Sequence, residues 1–522
     1  MSILKAAGII AILSLLSKFV GLFREVVVAN YFGTNYIRDA YGIAQLLPAS
    51  FALVMLAGLN GPFHSSVVTV ISKYKARGEE KEVKTIITTL IIISCIFMGI
   101  VSLLSYEFAP MIVELISKKS PIATKLVAIN QLRIMSPMFL ISALIGISYG
   151  ILNIEKIYFT PSLSPVMASL AVIGSLYLSS NGDMSMALAW GTMIGAIFQL
   201  LLQLIPMAKL MKNYIGTKIQ FNHPGIKQII AMLTPASLSS TVGQINLIIM
   251  TYFASGLPNG TIAAINTSNF LYQLPLGIML TALLVPMLPI LSQTATYDDN
   301  LTAFKKNLNK SVRSLSFLSI PATVIFLFSG KQFIQVLFER GKFDAYSVQI
   351  TYNCLKALCL SLVFYAIRDL LVRVFYALDS ARIPFYTSVF SILTTSFACW
   401  LFVYQFHLRE TGITLATSFV TLFNMSVLLI VLRRKIGKWL EKETIKHILK
   451  VIAVTVPVGI YCLVFNQIVN YKFNIPIFIV YTILLGILGA LCVATLRLLK
   501  DEETINITDK FINKAKRIVK RS

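Results

Sequence analysis

Charged side chains inside long apolar runs are the residues of this sequence whose types and spacing could do chemistry. Lys18, Arg24, Arg133, Lys331, Lys356, Arg368 and Arg373 all fall within such runs or at their ends. A cation at mid-bilayer costs a few kcal/mol, so it normally faces a water-filled cavity, an acidic partner or the interface. Arg133 and Lys331 stand near run ends, where a long stem carries the charge to the interface, and Lys356 can do the same. Asp369 and Arg373 are four residues apart, the spacing of an intrahelical ion pair, which leaves Arg368 without a local acidic partner. Lys18 and Glu25 share a helical face and Arg24 points elsewhere. Arg24 is therefore the cation expected to face a cavity, with a pair to Asp39 as the alternative. Guanidinium groups so placed grip phosphate or pyrophosphate through bidentate bonds, while an attached lipid tail stays among the helices.

Other chemistry is missing. His64, His223, His407 and His447 are not at ligand spacing from one another or from cysteine, and there is no glycine loop ending in Lys-Ser or Lys-Thr. Neither metal catalysis nor ATP hydrolysis is expected. The longest polar connection is only about 20 residues, too short for an enzyme domain. Cys95, Cys354, Cys359, Cys399, Cys462 and Cys492 all sit in apolar runs and read as small core residues, not disulfides.

The elements that must position the charges are transmembrane helices. The 522 residues are 56% apolar and only 13% charged, with a mean hydropathy of +0.77, which suits a bilayer better than water. Runs of roughly 20 apolar residues recur along the chain, about fourteen in all. Several contain proline, including Pro48, Pro137, Pro235, Pro275 and Pro286, as membrane helices tolerate. The first run begins after Lys5 like a secretory leader, but Lys18 and Arg24 interrupt it and no small-residue cleavage site follows, so it is expected to be retained.

Lysine and arginine fall mostly in alternate connections, such as Lys73–Lys84, Lys305–Arg313, Arg433–Lys450 and the tail from Arg497 to Arg521. The opposite connections hold few, among them Arg38, Lys118, Lys119, Lys125, Arg340, Lys342, Arg409 and Lys472. The positive-inside rule then places both termini in the cytoplasm. It also explains the net charge of +24, which is spread over loops and does not form a nucleic-acid face.

Val20-Gly21 and Tyr31-Phe32 recur at closely similar spacing as Val242-Gly243 and Tyr252-Phe253, which points to an internal duplication. Where the first copy carries Arg24-Glu25, the second carries neutral residues around Gln244 and Asn246.

Ser17-Lys18-Phe19-Val20-Gly21-Leu22-Phe23-Arg24-Glu25, then Ala29-Asn30-Tyr31-Phe32-Gly33 and Asp39-Ala40-Tyr41, resembles the N-terminal signature of the MurJ (MviN) family. These are flippases of lipid II, the undecaprenyl-pyrophosphate-linked peptidoglycan precursor, in the multidrug/oligosaccharidyl-lipid/polysaccharide exporter superfamily. Leu337-Phe338-Glu339-Arg340-Gly341-Lys342-Phe343 and Phe375-Tyr376-Ala377-Leu378 followed by Ile383-Pro384 add to a resemblance covering about the first 430 residues. It implies an all-α integral membrane fold of two pseudo-symmetric six-helix lobes in a V, residues 1–210 and 211–436, around a cationic cavity. Two further helices at 437–500 would follow, and then a basic cytoplasmic tail, 501–522.

The resemblance assigns substrate contact to Arg24 and Asp39, and to Lys18, which stands where the family has an arginine. The family's cavity arginines of the second and eighth helices fall at Ala52 and near Asn269-Phe270, and the acids that follow them become Ala57 and Gln273. Loss of cation and acid together reads as a lost ion pair, for which Arg38, Arg368 or Arg373 is expected to compensate. The candidate substrate-binding set is thus Lys18, Arg24, Arg38, Asp39, Gln244, Asn246, Asn269, Gln273, Arg368 and Arg373, with no catalytic or metal-ligating residue. Asp379 stands one residue before the family's acid, with Ser380 in its place, which argues against a sodium site. No cofactor is expected, although coupling to membrane potential or a monovalent cation fits the family.

The expected function is flipping of lipid II across a bacterial cytoplasmic membrane by a monomer, with membrane lipids as the other partners. A flippase for another polyprenyl-linked glycan is the alternative, followed by a small-molecule antiporter of the same superfamily. A scaffold would have no reason to keep Lys18 and Arg24 in a membrane span.

Overall fold

The computed structural model describes residues 3–53, 56, 62–216, 218–279, 283–297 and 301–468, with further helical positions at 483, 486–491, 493–495 and 497. Among the described residues the protein is built of helices, with no strand. Met1–Ala263 with Arg340–Phe343 forms one compact unit, and Ala264–Glu339 with Asp344–Ser522 a second.

In the first unit α1 (Ile3–Phe32) leads through a short turn to α2 (Tyr36–Ala44), which continues as a π-helix over Leu46–Leu53. Pro48 lies inside that π-helix and cannot donate to the ladder, and Gln45 O takes both Ala49 N and Ser50 N at 3.0 Å. There follow α3 (Pro62–Ala76), α4 (Glu80–Glu107), α5 (Ala109–Ile116), α6 (Ile122–Met135), α7 (Met138–Ile154), α8 (Phe159–Leu178), α9 (Ala187–Tyr214) and α10 (Pro224–Ala254).

α4 opens with Glu80 and Glu82, favourable at the positive end of the helix dipole. It buries Ile86, Ile87 and Leu90, yet Ile96, Phe97, Ile100 and Leu103 on the same helix are each at least 50% exposed. A helix apolar on both faces is one whose surroundings are hydrocarbon. α8 and α9 approach closely, since a Cβ added at Gly195 would lie 2.8 Å from Ala168 Cα. Ser175 Oγ fixes the same pair by donating to Ala187 O at 2.9 Å.

The segment after α9 runs along α4 as a strap. Gly216 N donates to Thr88 Oγ1 at 2.8 Å, Gln220 N to Thr89 Oγ1 at 3.0 Å, and His223 Nε2 lies 2.7 Å from Glu82 Oε2. These bonds satisfy backbone donors of the strap, and the first compact unit runs through α10 to Ala263.

The second unit begins within α11 (Thr261–Met279), and contains α12 (Val285–Tyr297), α13 (Thr302–Phe338), α14 (Ala345–Cys359), α15 (Leu362–Ala377) and α16 (Arg382–Trp400). A π-helical turn at Leu401–Gln405, then α17 (Arg409–Ile436) and α18 (Lys442–Ile468), complete its described length. α14 and α15 are one expected span broken at Leu360-Ser361, where Ser361 N and Oγ both donate to Leu358 O, at 2.9 and 2.7 Å.

Fully buried Asn309 ties α13 to the start of α18. Its Nδ2 donates to Trp439 O at 2.6 Å, and its Oδ1 accepts from Glu441 N at 3.1 Å and Thr444 Oγ1 at 2.8 Å.

Eight helical segments among the described residues are long and apolar enough to cross a membrane. The other expected spans of the fourteen are helical where described, and the last of them, with the tail 501–522, lies largely outside the described residues. Cys95, Cys354, Cys359, Cys399 and Cys462 are free thiols, and Cys492 lies outside the described residues.

Candidate substrate site

In the first unit Arg24, Glu25 and Arg38 form one charged cluster across α1 and α2. Asn35 caps α2, its Oδ1 accepting from Arg38 N at 3.0 Å, which places Arg38 in the first helical turn. The Arg38 side chain is 4% exposed. Its guanidinium bonds the Glu25 carboxylate on α1 and donates to Gly33 O at 3.0 Å. Burial forces that arrangement, because a guanidinium removed from water needs an acid and a carbonyl to replace it.

Glu25 is shared. Its Oε2 is 3.9 Å from Arg24 Nη2, and Arg24 keeps a third of its side-chain surface exposed. One carboxylate thus joins a buried structural guanidinium to a partly exposed one. Lys18 lies on the same helix, partly exposed, and forms no ion pair among the described residues.

The alternative pair of Arg24 with Asp39 does not form. Asp39 is 4% exposed and its carboxylate accepts from two backbone amides, Gly260 N and Ala263 N, the latter at 2.8 Å. Those amides open α11, so Asp39 supplies from a distant helix the cap that a local side chain usually provides. Gly260 makes the approach possible: its φ is +92°, and a Cβ there would stand 2.3 Å from Thr34 O. Gly33 likewise has φ +60° and abuts the backbone of Lys342, whose N–H donates to Asn30 O at 2.9 Å. Gln244 and Asn246 lie on α10, both partly buried.

In the second unit Asn269 and Gln273 stand one turn apart on α11, partly buried and exposed respectively. Arg373 Nε lies 3.4 Å from Asp369 Oδ2, as their spacing led one to expect. Arg368 is partly buried, with its guanidinium carbon 5.6 Å from the centre of the Tyr365 ring. Sequence reasoning overlooked Tyr365, although its position three residues before Arg368 is the signal that finds it. Ala52 is buried, and Ala57 lies outside the described residues.

Where α3, α7 and α9 end together, Lys75 bonds Glu155, and Tyr214 OH donates to the same carboxylate. Burial raises the Glu155 carboxyl, but the bonds from Lys75 and Tyr214 outweigh it and hold the group below its ordinary value.

Eight membrane-length apolar helices among the described residues make this a multi-pass helical membrane protein, with a charged cluster on α1 and α2. Comparison with known proteins narrows the class. A sequence model of the family described as "Lipid II flippase MurJ" matches residues 28–486. The "Probable lipid II flippase MurJ" of Synechocystis sp. is 35% identical over 448 residues, which is 84% of this chain and 82% of that one. The "Lipid II flippase MurJ" of Burkholderia cenocepacia is 26% identical over 442 residues, 83% of this chain and 84% of that one. The chain belongs to the MurJ lipid II flippase family.

A solved structure titled "Lipid II flippase MurJ, inward closed conformation" superposes with a TM-score of 0.78 at 25% identity, covering 94% of this chain and 99% of that one. An inward-facing multidrug resistance MATE family transporter of the MOP superfamily shares the fold at a TM-score of 0.68 and 15% identity, over 82% of this chain and 98% of that one.

Proposed function

We propose that this protein is a lipid II flippase, which moves the lipid-linked peptidoglycan precursor from the inner to the outer leaflet of a bacterial cytoplasmic membrane. The observation that carries the reading is membership of the family over residues 28–486, joined to a partly exposed guanidinium at Arg24 held beside Glu25. Alternating access through a cationic cavity is the mechanism, with the pyrophosphate gripped by arginine forks and the polyprenyl tail left in hydrocarbon. Both termini are cytoplasmic, by the charge asymmetry of the connections. The chain acts as a monomer and takes its drive from membrane potential or a monovalent cation. Lys18, Arg24, Gln244, Asn246, Asn269, Gln273 and Arg368 are the residues assigned to the substrate path, while Asp39, buried with its carboxylate on two amides, serves as a cap. Arg38 and Arg373 serve by holding acids, each closer to its carboxylate than Arg24, which is 3.9 Å from Glu25.

One observation favours a second reading, transport of a different polyprenyl-linked glycan: the neutral residues at Ala52 and Asn269, where the resemblance places arginines, remove cations from the cavity. The test is rescue of a bacterium depleted of its own lipid II flippase, with Arg24→Ala alongside. Rescue by the wild type and failure of a normally inserted Arg24→Ala support lipid II transport through Arg24. A correctly inserted wild type that does not rescue, in several hosts, would turn the assignment to another lipid-linked glycan.

A further inference from the structure

Three basic residues were candidates to replace the cations absent at Ala52 and Asn269, and the structure separates them. Arg38 spends its donors on Glu25 and Gly33 O, and Arg373 is paired with Asp369. Arg368 has no carboxylate within ion-pair distance among the described residues. Its partner is instead the face of Tyr365, with the guanidinium carbon 5.6 Å from the ring centre.

The difference decides what Arg368 can do. A bidentate carboxylate neutralises a guanidinium and occupies its in-plane N–H groups in pairs, whereas Tyr365 engages Arg368 through its ring and one hydrogen bond at its hydroxyl and leaves the charge and the remaining in-plane donors available. Such a group is fixed in direction and still able to grip an oxyanion. Tyr365 is itself fixed, because it meets Tyr272 of α11 edge to face, with ring centres 6.4 Å apart and planes at 88°. Tyr272 is held at its other end by a 2.9 Å hydrogen bond between its hydroxyl and Ser361 Oγ. Since the Ser361 hydroxyl donates its one proton to Leu358 O at 2.7 Å, Tyr272 is the donor. The row therefore runs from the break between α14 and α15 through two aromatic rings to one cation. Asn269 and Gln273, on the same helix as Tyr272, bring further neutral polar groups to this unit.

We propose that Tyr365 is a positioning residue that presets Arg368 to grip the pyrophosphate of a lipid-linked glycan, an inference that rests on the flippase reading. The experiment uses the full chain in liposomes and follows lipid II translocation against lipid II concentration, with melting temperature as the folding control. Arg368→Gln is expected to raise the half-saturating concentration by on the order of tenfold or more with little change in maximal rate, as loss of a charge-assisted bond does. Arg368→Lys, which keeps charge but loses the fork, falls between. Tyr365→Leu raises half-saturation severalfold, and Tyr365→Phe, which keeps the ring but loses the hydroxyl's bond to Arg368, raises it less. If Tyr365→Leu does not fold, Tyr272→Phe replaces it, since it frees the ring row from Ser361 and is expected to raise half-saturation in the same direction. Wild-type transport with Arg368→Gln saturating at the wild-type concentration overturns the inference, as does Tyr365→Phe losing as much as Tyr365→Leu. If the wild type transports no lipid II, the flippase reading fails separately, and calorimetry of the detergent-solubilised chain with inorganic pyrophosphate decides: binding lost in Arg368→Gln supports the site, and equal or absent binding in both overturns it.

Discussion

Replacing Asp39 should loosen the first turn of α11 by an amount the structure lets one work out. The carboxylate is 4% exposed and receives Gly260 N and Ala263 N. A hydrogen bond to a charged group contributes about 1.5–3 kcal/mol, and a buried donor left without a partner loses a comparable sum. Asp39→Asn keeps one acceptor but turns an NH2 toward the second amide, so it should cost about 2–3 kcal/mol. Asp39→Ala orphans both amides and should cost about 3–5 kcal/mol, the lower end if water enters the space. The assay is hydrogen exchange at the Gly260 and Ala263 amides of the purified protein, read by mass spectrometry, with α13 peptides as an internal reference. A loss of about 3 kcal/mol in the local opening equilibrium makes those amides exchange on the order of 100-fold faster. Exchange in Asp39→Ala within about threefold of wild type would refute the view that this carboxylate caps α11.

Three other outcomes follow from the same geometry. Gly260→Ala should destabilise at least as much as Asp39→Asn, because φ +92° strains an alanine and its Cβ would meet Thr34 O at 2.3 Å; an unchanged melting temperature would show that the turn is adaptable. Asn309→Ala removes the partner of Trp439 O, Glu441 N and Thr444 Oγ1 and should cost about 3 kcal/mol, while a double-mutant cycle with Thr444→Val should show coupling of about 1 kcal/mol. Glu155, whose folded-state value lies below the ordinary 4.5, contributes stability above that pH and loses it as pH falls through the lower folded value. The wild-type advantage over Glu155→Gln should therefore be under about 1 kcal/mol near neutrality, since Lys75 is exposed, and should disappear on acidification below 4.5. An advantage that grew on acidification would contradict the pairing.

What could be read from the sequence was set by how locally each feature is determined. The apolar runs and the Asp369–Arg373 pair were legible because each depends on neighbours along one helix. The burial of Arg38 was not legible, because the Glu25 carboxylate and the Gly33 carbonyl that replace water around its guanidinium come from outside α2. The partners of Asp39 could not be read at all. They are backbone amides, which every residue but proline carries, brought within reach by glycines at positions where a side chain cannot fit. The same division separates the two arginines of α15: the acid that neutralises Arg373 is four residues away, whereas the ring that steadies Arg368 is itself steadied from another helix. Charge inside a membrane span therefore marks a site in sequence, but which charge stays available to a ligand is decided by tertiary partners. That is why Arg373 could be given its acid from spacing alone, whereas Arg368 receives a role only once Tyr272 and Tyr365 are in place.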